Sequence, residues 1–187
     1  MFVVLVLLAA AGCDRAESDP VSSAIGRQVR HDTRIPIHVE RAVAVDSTTY
    51  ATEFDRRRGI YELRIHQNTL REENFLKDRK RKNAKIMHDA IIKDHLIIAG
   101  LDSLRRVMGS RVDDIAYYDY AFQYCQKDDR GRKTVPKTAW ASVTPDNRVL
   151  SWAPEKRLLH KTTGLVIPGY RKMLDGLKST EESATHE

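Results

Sequence analysis

Residues 118–124, YDYAFQY, carry the clearest secondary-structure pattern in this chain of 187 residues. Aromatic side chains occupy every second position, and Asp119, Ala121 and Gln123 lie between them. Because the side chains of a strand point alternately to its two faces, this spacing predicts a β-strand with one aromatic face. We expect that face to pack on helices or to form an aromatic surface.

The residues that follow predict two further strands. The cluster at 128–131, DDRG, is typical of a turn. Residues 133–144 predict a strand with Pro136 near its start, where a missing N–H donor is tolerated. A second turn, Pro145-Asp146-Asn147, leads into a strand at 149–152. With the aromatic strand, these segments predict a three-stranded antiparallel meander.

Two earlier segments alternate in the same way. Residues 35–45 place Ile and Val at alternating positions, interrupted once by Arg41, and predict a half-buried strand. After Gly59, the alternation of Tyr61, Leu63 and Ile65 with charged residues predicts another. The chain therefore has one or two strands before the meander.

A helix is predicted between these strands and the meander. Residues 86–108 place apolar side chains at spacings of three, four and seven, which gives one apolar stripe. Gly100 lies inside this stripe and costs about 1 kcal/mol relative to Ala in a helix. The alternative is a break near Gly100, followed by a short helix from Asp102 to Met108 that ends at Gly109.

These elements predict an α+β fold, in which an antiparallel sheet packs against one or two helices. We place a single domain at residues 35–178, with a short closing helix at 170–177. Residues 13–34 are polar and lack apolar periodicity, so we predict a flexible tether there. Residues 179–187 are polar and predict a disordered tail.

The first residues are strongly apolar. Residues 1–11, MFVVLVLLAAA, precede Gly12 and Cys13, after which the sequence becomes polar. At ~1.5 Å per helical residue, the stretch before Cys13 reaches about 18 Å, which is shorter than the ~30 Å hydrocarbon core of a bilayer. Length and composition therefore predict a signal peptide over residues 1–12.

Ala10-Ala11-Gly12-Cys13 resembles the lipobox of bacterial lipoproteins. The resemblance implies cleavage before Cys13 and acylation of that cysteine, palmitate included. Several acyl chains on one residue anchor a protein stably, whereas a single chain binds only marginally. Asp14 resembles the retention signal of inner-membrane lipoproteins. The expected location is therefore the periplasm-facing side of the cell envelope, with the inner membrane favoured.

The order of helix, aromatic strand and tightly turned hairpin is similar to that of the SmpA/OmlA-type small envelope lipoproteins, which assist outer-membrane protein assembly. The matching residues are Gly100-Leu101-Asp102, Met108-Gly109, the strand 118–124, and Val143 to Val149. The spacing between the two glycine motifs is shorter here, and the preceding residues have no counterpart in that family. The resemblance therefore covers only short, degenerate motifs.

Basic residues exceed acidic ones by 32 to 26, which gives a formal net charge of +6 and favours anionic partners. Each basic residue contributes about 1 kcal/mol near an anionic membrane surface. Two basic runs are candidate sites for an anionic partner, and the alternative is a solvated helix face. The runs are Arg56, Arg57, Arg58 and Lys77, Arg79, Lys80, Arg81, Lys82, Lys85.

Catalytic and metal-binding patterns are weak. His88 and His95 lie seven positions apart, roughly 10.5 Å along a helix, whereas a helical zinc pair is spaced by four. With Cys13 lipidated, Cys125 is the only remaining thiol, and as a nucleophile it would need a histidine base. We predict no catalytic residue, no metal site and no cofactor.

These patterns together predict a non-catalytic binding or scaffold module, anchored to a membrane through acylated Cys13. An acidic protein or an anionic envelope polymer is the expected further partner. One alternative is an envelope hydrolase that uses Cys125 or histidines. The other is a cytosolic nucleic-acid-binding protein, which applies if the leader is not a signal peptide. Export argues against nucleic acid.

Overall fold

The computed structural model describes residues 19–126, 132–159 and 165–184, which form an α+β fold of four helices and four strands. The helices are α1 (Pro20–Thr33), α2 (Tyr50–Lys77), α3 (Arg81–Met108) and α4 (Tyr170–Ala184). The strands are β1 (Ile37–Thr49), β2 (Ile115–Gln126), β3 (Lys137–Val143) and β4 (Val149–Ala153). Short 3-10 helices, Gly109–Asp113 and Lys156–Leu158, follow α3 and β4.

The four strands form one antiparallel sheet in the order β1-β2-β3-β4. The aromatic strand predicted at 118–124 is β2, and the predicted meander is confirmed as β2, β3 and β4. The first of the earlier predicted strands is confirmed as β1. Tyr120 of β2 lies opposite Ala44 of β1 and opposite Ala141 of β3. The aromatic strand is therefore internal to the sheet, with a partner strand on each side.

The second predicted strand, around Tyr61, is wrong because these residues belong to α2. Thr49 caps this helix, and its hydroxyl accepts a hydrogen bond from the Thr52 N–H at 3.3 Å. Tyr61 and Ile65 fit both patterns, since they are two strand repeats and about one helical turn apart. Tyr61 is buried but Leu63 is 57% exposed. Residues two positions apart lie on the same face of a strand but on different faces of a helix, so this difference fits the helix.

The flexible tether predicted for residues 13–34 is wrong over most of its length, because Pro20–Thr33 form α1. The Asp19 carboxylate caps the first turn. Ile25 and Val29 are buried, and they share an apolar cluster with Phe122 of the sheet. This segment resembles a linker because its apolar residues are few. Their spacing of four is nevertheless enough to cover the sheet.

The helices α2 and α3 pack against each other as an antiparallel hairpin. Each has 28 residues and is therefore about 42 Å long. Residues 50–61 and 97–108, which we call the hairpin base, share an apolar cluster with Tyr170 of α4. The structure describes all of residues 62–93, and Ala84 of α3 is the only buried residue among them. The distal half of the hairpin therefore extends beyond the core.

The helix predicted at 86–108 is confirmed as α3, and it runs through Gly100 without a break. A Cβ atom at this position would overlap the sulfur of Met173 in α4. Glycine is therefore used here for close packing between two helices, which offsets its low helix propensity.

The closing helix predicted at 170–177 is confirmed as α4, but it continues to Ala184. The predicted disordered tail is thus wrong over residues 179–184, because neither Gly nor Pro follows Leu177 to end the helix. Residues 185–187, the turn predicted at 128–131 and the signal peptide with Cys13 lie outside the described residues.

Candidate anionic-partner interface

The connection between α2 and α3 is only three residues long, 78–80. The N–H groups of Arg79 and Lys80 donate to the carbonyl oxygens of Leu76 and Phe75, at 3.0 and 2.8 Å. Arg79 adopts the left-handed conformation, with φ of 59°. This pair of hydrogen bonds closes many helix ends, and glycine usually occupies the left-handed position. The reversal is therefore tight, and a cationic residue stands where glycine is favoured.

We call residues 75–86 the hairpin tip. It contains all six members of the second basic run, and all six are exposed. Lys80 pairs with Asp78 at 3.0 Å and Lys85 pairs with Asp89 at 2.8 Å, both in exposed ion pairs of little energetic weight. The other four make no ion pair within the part of the chain that the structure describes, and they are Lys77, Arg79, Arg81 and Lys82.

Apolar side chains are interspersed among these cations. Leu76 is 54% exposed immediately before the connection, and Ile86 is 53% exposed in the second turn of α3. Phe75 is half-buried. The hairpin tip is therefore amphipathic, with exposed aliphatic groups surrounded by positive charge.

The first basic run lies in a different environment, at the hairpin base. Arg56 donates to Glu53 at 2.7 Å and to the Tyr117 hydroxyl of β2 at 2.8 Å. Arg57 lies 3.5 Å from the same Glu53 carboxylate, which is fully buried. Arg58 pairs with Asp102 of α3 at 2.6 Å. Arg56 therefore links α2 to the sheet and Arg58 links it to α3, while the pair of Arg57 with Glu53 lies within α2.

The two predicted basic runs therefore do not form one site. Arg58 and Lys77 are 19 positions apart on the same helix, which separates them by about 28 Å. The sequence predicts Arg56, Arg57 and Arg58 as anionic-partner residues together with the second run. Their ion pairs within the protein argue for a structural role, whereas four of the tip cations have no ion pair among the described residues.

A buried carboxylate between the tip and the base was missed by sequence reasoning. Asp94 of α3 is fully buried, and Arg64 of α2 lies 2.9 Å from its Oδ1. Burial raises the pKa of Asp94 above its ordinary value, and the neighbouring Arg64 charge offsets only part of this effect. The spacing of Asp94 from Ile97 and Leu101 on the apolar stripe is the pattern that could have indicated its burial.

Cys125, the nucleophile of the alternative hydrolase hypothesis, is buried and forms no disulfide. His38 lies opposite Cys125 in the register of β1 and β2. The thiol nevertheless donates to Glu40 Oε1 at 3.1 Å. This hydrogen bond, with burial, raises the pKa of the Cys125 thiol. A catalytic cysteine acts as a thiolate, so this environment favours the unreactive form.

The two histidines considered for metal binding have different surroundings. The His88 Nδ1 atom lies 3.1 Å from Glu72 Oε1 across the hairpin, and this contact links α3 to α2. His95 is exposed. Among the described residues, no group of three or more histidine, cysteine, aspartate or glutamate side chains could hold a metal ion.

Comparison with protein families, curated proteins and solved structures finds no match to this chain. Over the described residues, none of the helices combines the length and the apolar character that a membrane span requires. The interpretation of the protein therefore depends on its own residues and their geometry.

Proposed function

We propose that this protein is a membrane-anchored lipoprotein of the bacterial cell envelope and acts as a non-catalytic binding module. Acylated Cys13 holds it at a membrane, and the hairpin tip is the element that meets an anionic partner. The observation that carries the proposal is the concentration of six exposed cations at the end of a projecting hairpin.

Charge and position both support this role for the tip. At the hairpin base, Arg56 and Arg57 are engaged by the buried Glu53, and Arg58 pairs with both Glu62 and Asp102. The tip cations are exposed, and four have no ion pair in the described chain. A long hairpin also places them away from the core, where a large partner can approach.

Anchoring is tested by intact mass and membrane fractionation of the full chain expressed in a bacterium, beside Cys13→Ala. We expect loss of residues 1–12 and an added acyl mass on Cys13, with membrane association that the variant lacks. An unmodified chain that retains Met1 would refute the lipoprotein assignment.

Binding by the tip is tested with detergent-solubilised full chain on immobilised polyglutamate, at low and at high salt. Replacing the four unpaired tip cations with Gln should weaken low-salt binding by roughly tenfold or more. The four are Lys77, Arg79, Arg81 and Lys82.

A control variant should remove four exposed cations from other regions, so that the change in net charge is the same. Arg30, Arg41, Arg106 and Lys137 serve this purpose. Equal losses in the two variants would mean that net charge alone drives binding, and the tip would then not be the interface.

A further inference from the structure

We propose that the partner of the hairpin tip is an anionic phospholipid bilayer, into whose headgroup layer Leu76 and Ile86 insert. This inference rests on the proposed role of the tip as a docking element and adds the chemistry of its ligand. The tip would thus provide a second membrane contact, separate from the acylated N-terminus.

The apolar residues of the tip lie close to the reversal between the two helices. Leu76 is two positions from Asp78 in the connection, and Ile86 is five positions beyond Arg81, the first residue of α3. At ~1.5 Å per residue, both lie within about 8 Å of the helix ends. Amphipathic segments at membrane surfaces insert their apolar groups about 5–10 Å deep. The reversal at 78–80 lies farther along the hairpin than both residues, so Leu76 and Ile86 reach the acyl chains when the tip lies along the membrane surface, with its cations at the level of the phosphates.

The exposed aliphatic side chains of the tip favour phospholipid over an acidic protein face, and the cations suit it. Four of the six tip cations are lysines, and they are Lys77, Lys80, Lys82 and Lys85. A lysine ammonium acts as a point charge on a flexible stem, whereas arginine suits fixed, bidentate pairing with carboxylates or phosphates. Mobile phosphate headgroups require no fixed geometry. A purely ionic protein contact would also leave Leu76 and Ile86 in water, while a bilayer buries them.

Arg79 lies at the reversal itself, where its side chain extends from the end of the hairpin. With φ of 59°, this position disfavours side chains that carry a Cβ, and Gly or Asn would close the helix with less strain. The arginine side chain is exposed and makes no ion pair within the described chain, so it is available to an external anion.

The test uses full-length acylated protein on vesicles that contain brominated phosphatidylcholine, with or without phosphatidylglycerol. Leu76→Trp places a fluorophore in the tip. Leu63→Trp is the matched control, because Leu63 is similarly exposed on the same helix, about 20 Å from Leu76. We expect brominated lipid to quench Leu76→Trp on anionic vesicles only, and to leave Leu63→Trp at the level of the native Trp140 and Trp152.

Combining Leu76→Trp with glutamine at the four unpaired tip cations should abolish the quenching, since each cation changes membrane partitioning by roughly fivefold. Quenching on neutral vesicles as well, or no quenching at all, would overturn the bilayer proposal. If quenching is absent but the tip variant still loses polyglutamate binding, the proposed function stands and its partner is an acidic protein. If both measurements are negative, the proposed function fails too.

Discussion

The two basic runs of this protein look alike in the sequence, but they lie in opposite environments. Arg56, Arg57 and Arg58 are at the hairpin base, where they pair with Glu53, Glu62 and Asp102. The hairpin tip holds six cations, of which two have exposed partners. One run therefore joins elements of the fold, and the other remains available to a ligand.

This difference shows that a cationic run indicates a binding site only when its charges are not compensated within the protein. For Arg56 and Arg57 the difference is the burial of their partner Glu53, whereas the pairs of Arg58 with Glu62 and Asp102 are exposed. A buried carboxylate such as Glu53 needs its arginine partners, because an unpaired buried charge is costly. Exposed charges at the tip interact weakly with each other and with their neighbours, since water screens them.

Glu53→Gln should lower the free energy of unfolding by about 3 kcal/mol, because it removes the buried partner of Arg56 and Arg57. The matched change at the tip, Asp78→Asn, removes the partner of Lys80 and should change stability by less than about 0.5 kcal/mol. Urea unfolding measures both. Similar effects at the two positions would contradict the distinction between base and tip.

The two helical glycines of the hairpin should respond oppositely to alanine. Gly59→Ala should stabilise the protein by about 0.5–1 kcal/mol, because no atom lies within 4 Å of a Cβ there. Gly100→Ala should destabilise it by about 1 kcal/mol, because its Cβ would overlap the Met173 sulfur of α4. Thermal unfolding is the measurement, with Met173→Ala as the second background. If Gly100→Ala is still destabilising in that background, Met173 is not the cause.

Asp94→Asn should raise stability at neutral pH relative to the wild type. The raised pKa of the buried Asp94 means that the folded state favours its protonated form. The wild type therefore gains stability from this group as pH falls through the raised pKa, and the gain is complete below the unfolded value near 3.8. The difference in the free energy of unfolding between Asp94→Asn and the wild type should shrink as the pH is lowered from 7. Urea unfolding at several pH values measures it. A difference that does not vary with pH would refute the shift.

Arg79→Gly should leave stability unchanged or raise it by up to about 1 kcal/mol, because glycine relieves the left-handed conformation. The same change should weaken tip binding to polyglutamate by several-fold. Arg34 is the matched control, since it is exposed, ends α1 and has φ of 63°. Arg34→Gly should have the same effect on stability and none on binding. Equal effects of the two variants on binding would remove Arg79 from the interface.

Sequence patterns predicted most of the sheet and much of the hairpin. The alternation in residues 118–124 identified β2, and the turn residues after it led to β3 and β4. The apolar stripe in residues 86–108 identified α3. These predictions succeeded because long periodic patterns match one secondary structure only. The short pattern around Tyr61 matched two, and burial in the folded protein selected the helix.

The candidate site was predicted in part. The six tip cations were identified by composition. Their location at a helix reversal was not predicted, because a strand was predicted around Tyr61 where α2 lies. The structural role of Arg56 was also not readable. Its hydrogen-bond partner Tyr117 is 61 positions away in the chain. The burial of Asp94 was not predicted either, because it depends on the packing of α2 against α3.

The sequence by itself determined the periodicities of β2 and α3, the turns of the meander and the presence of two basic runs, because these properties depend on neighbouring residues. Tertiary structure decided which charges are compensated, why Gly100 is tolerated and where α1 packs. Those outcomes depend on residues that are distant in the chain and meet only when the core forms. The contrast between base and tip therefore arises from folding and not from composition.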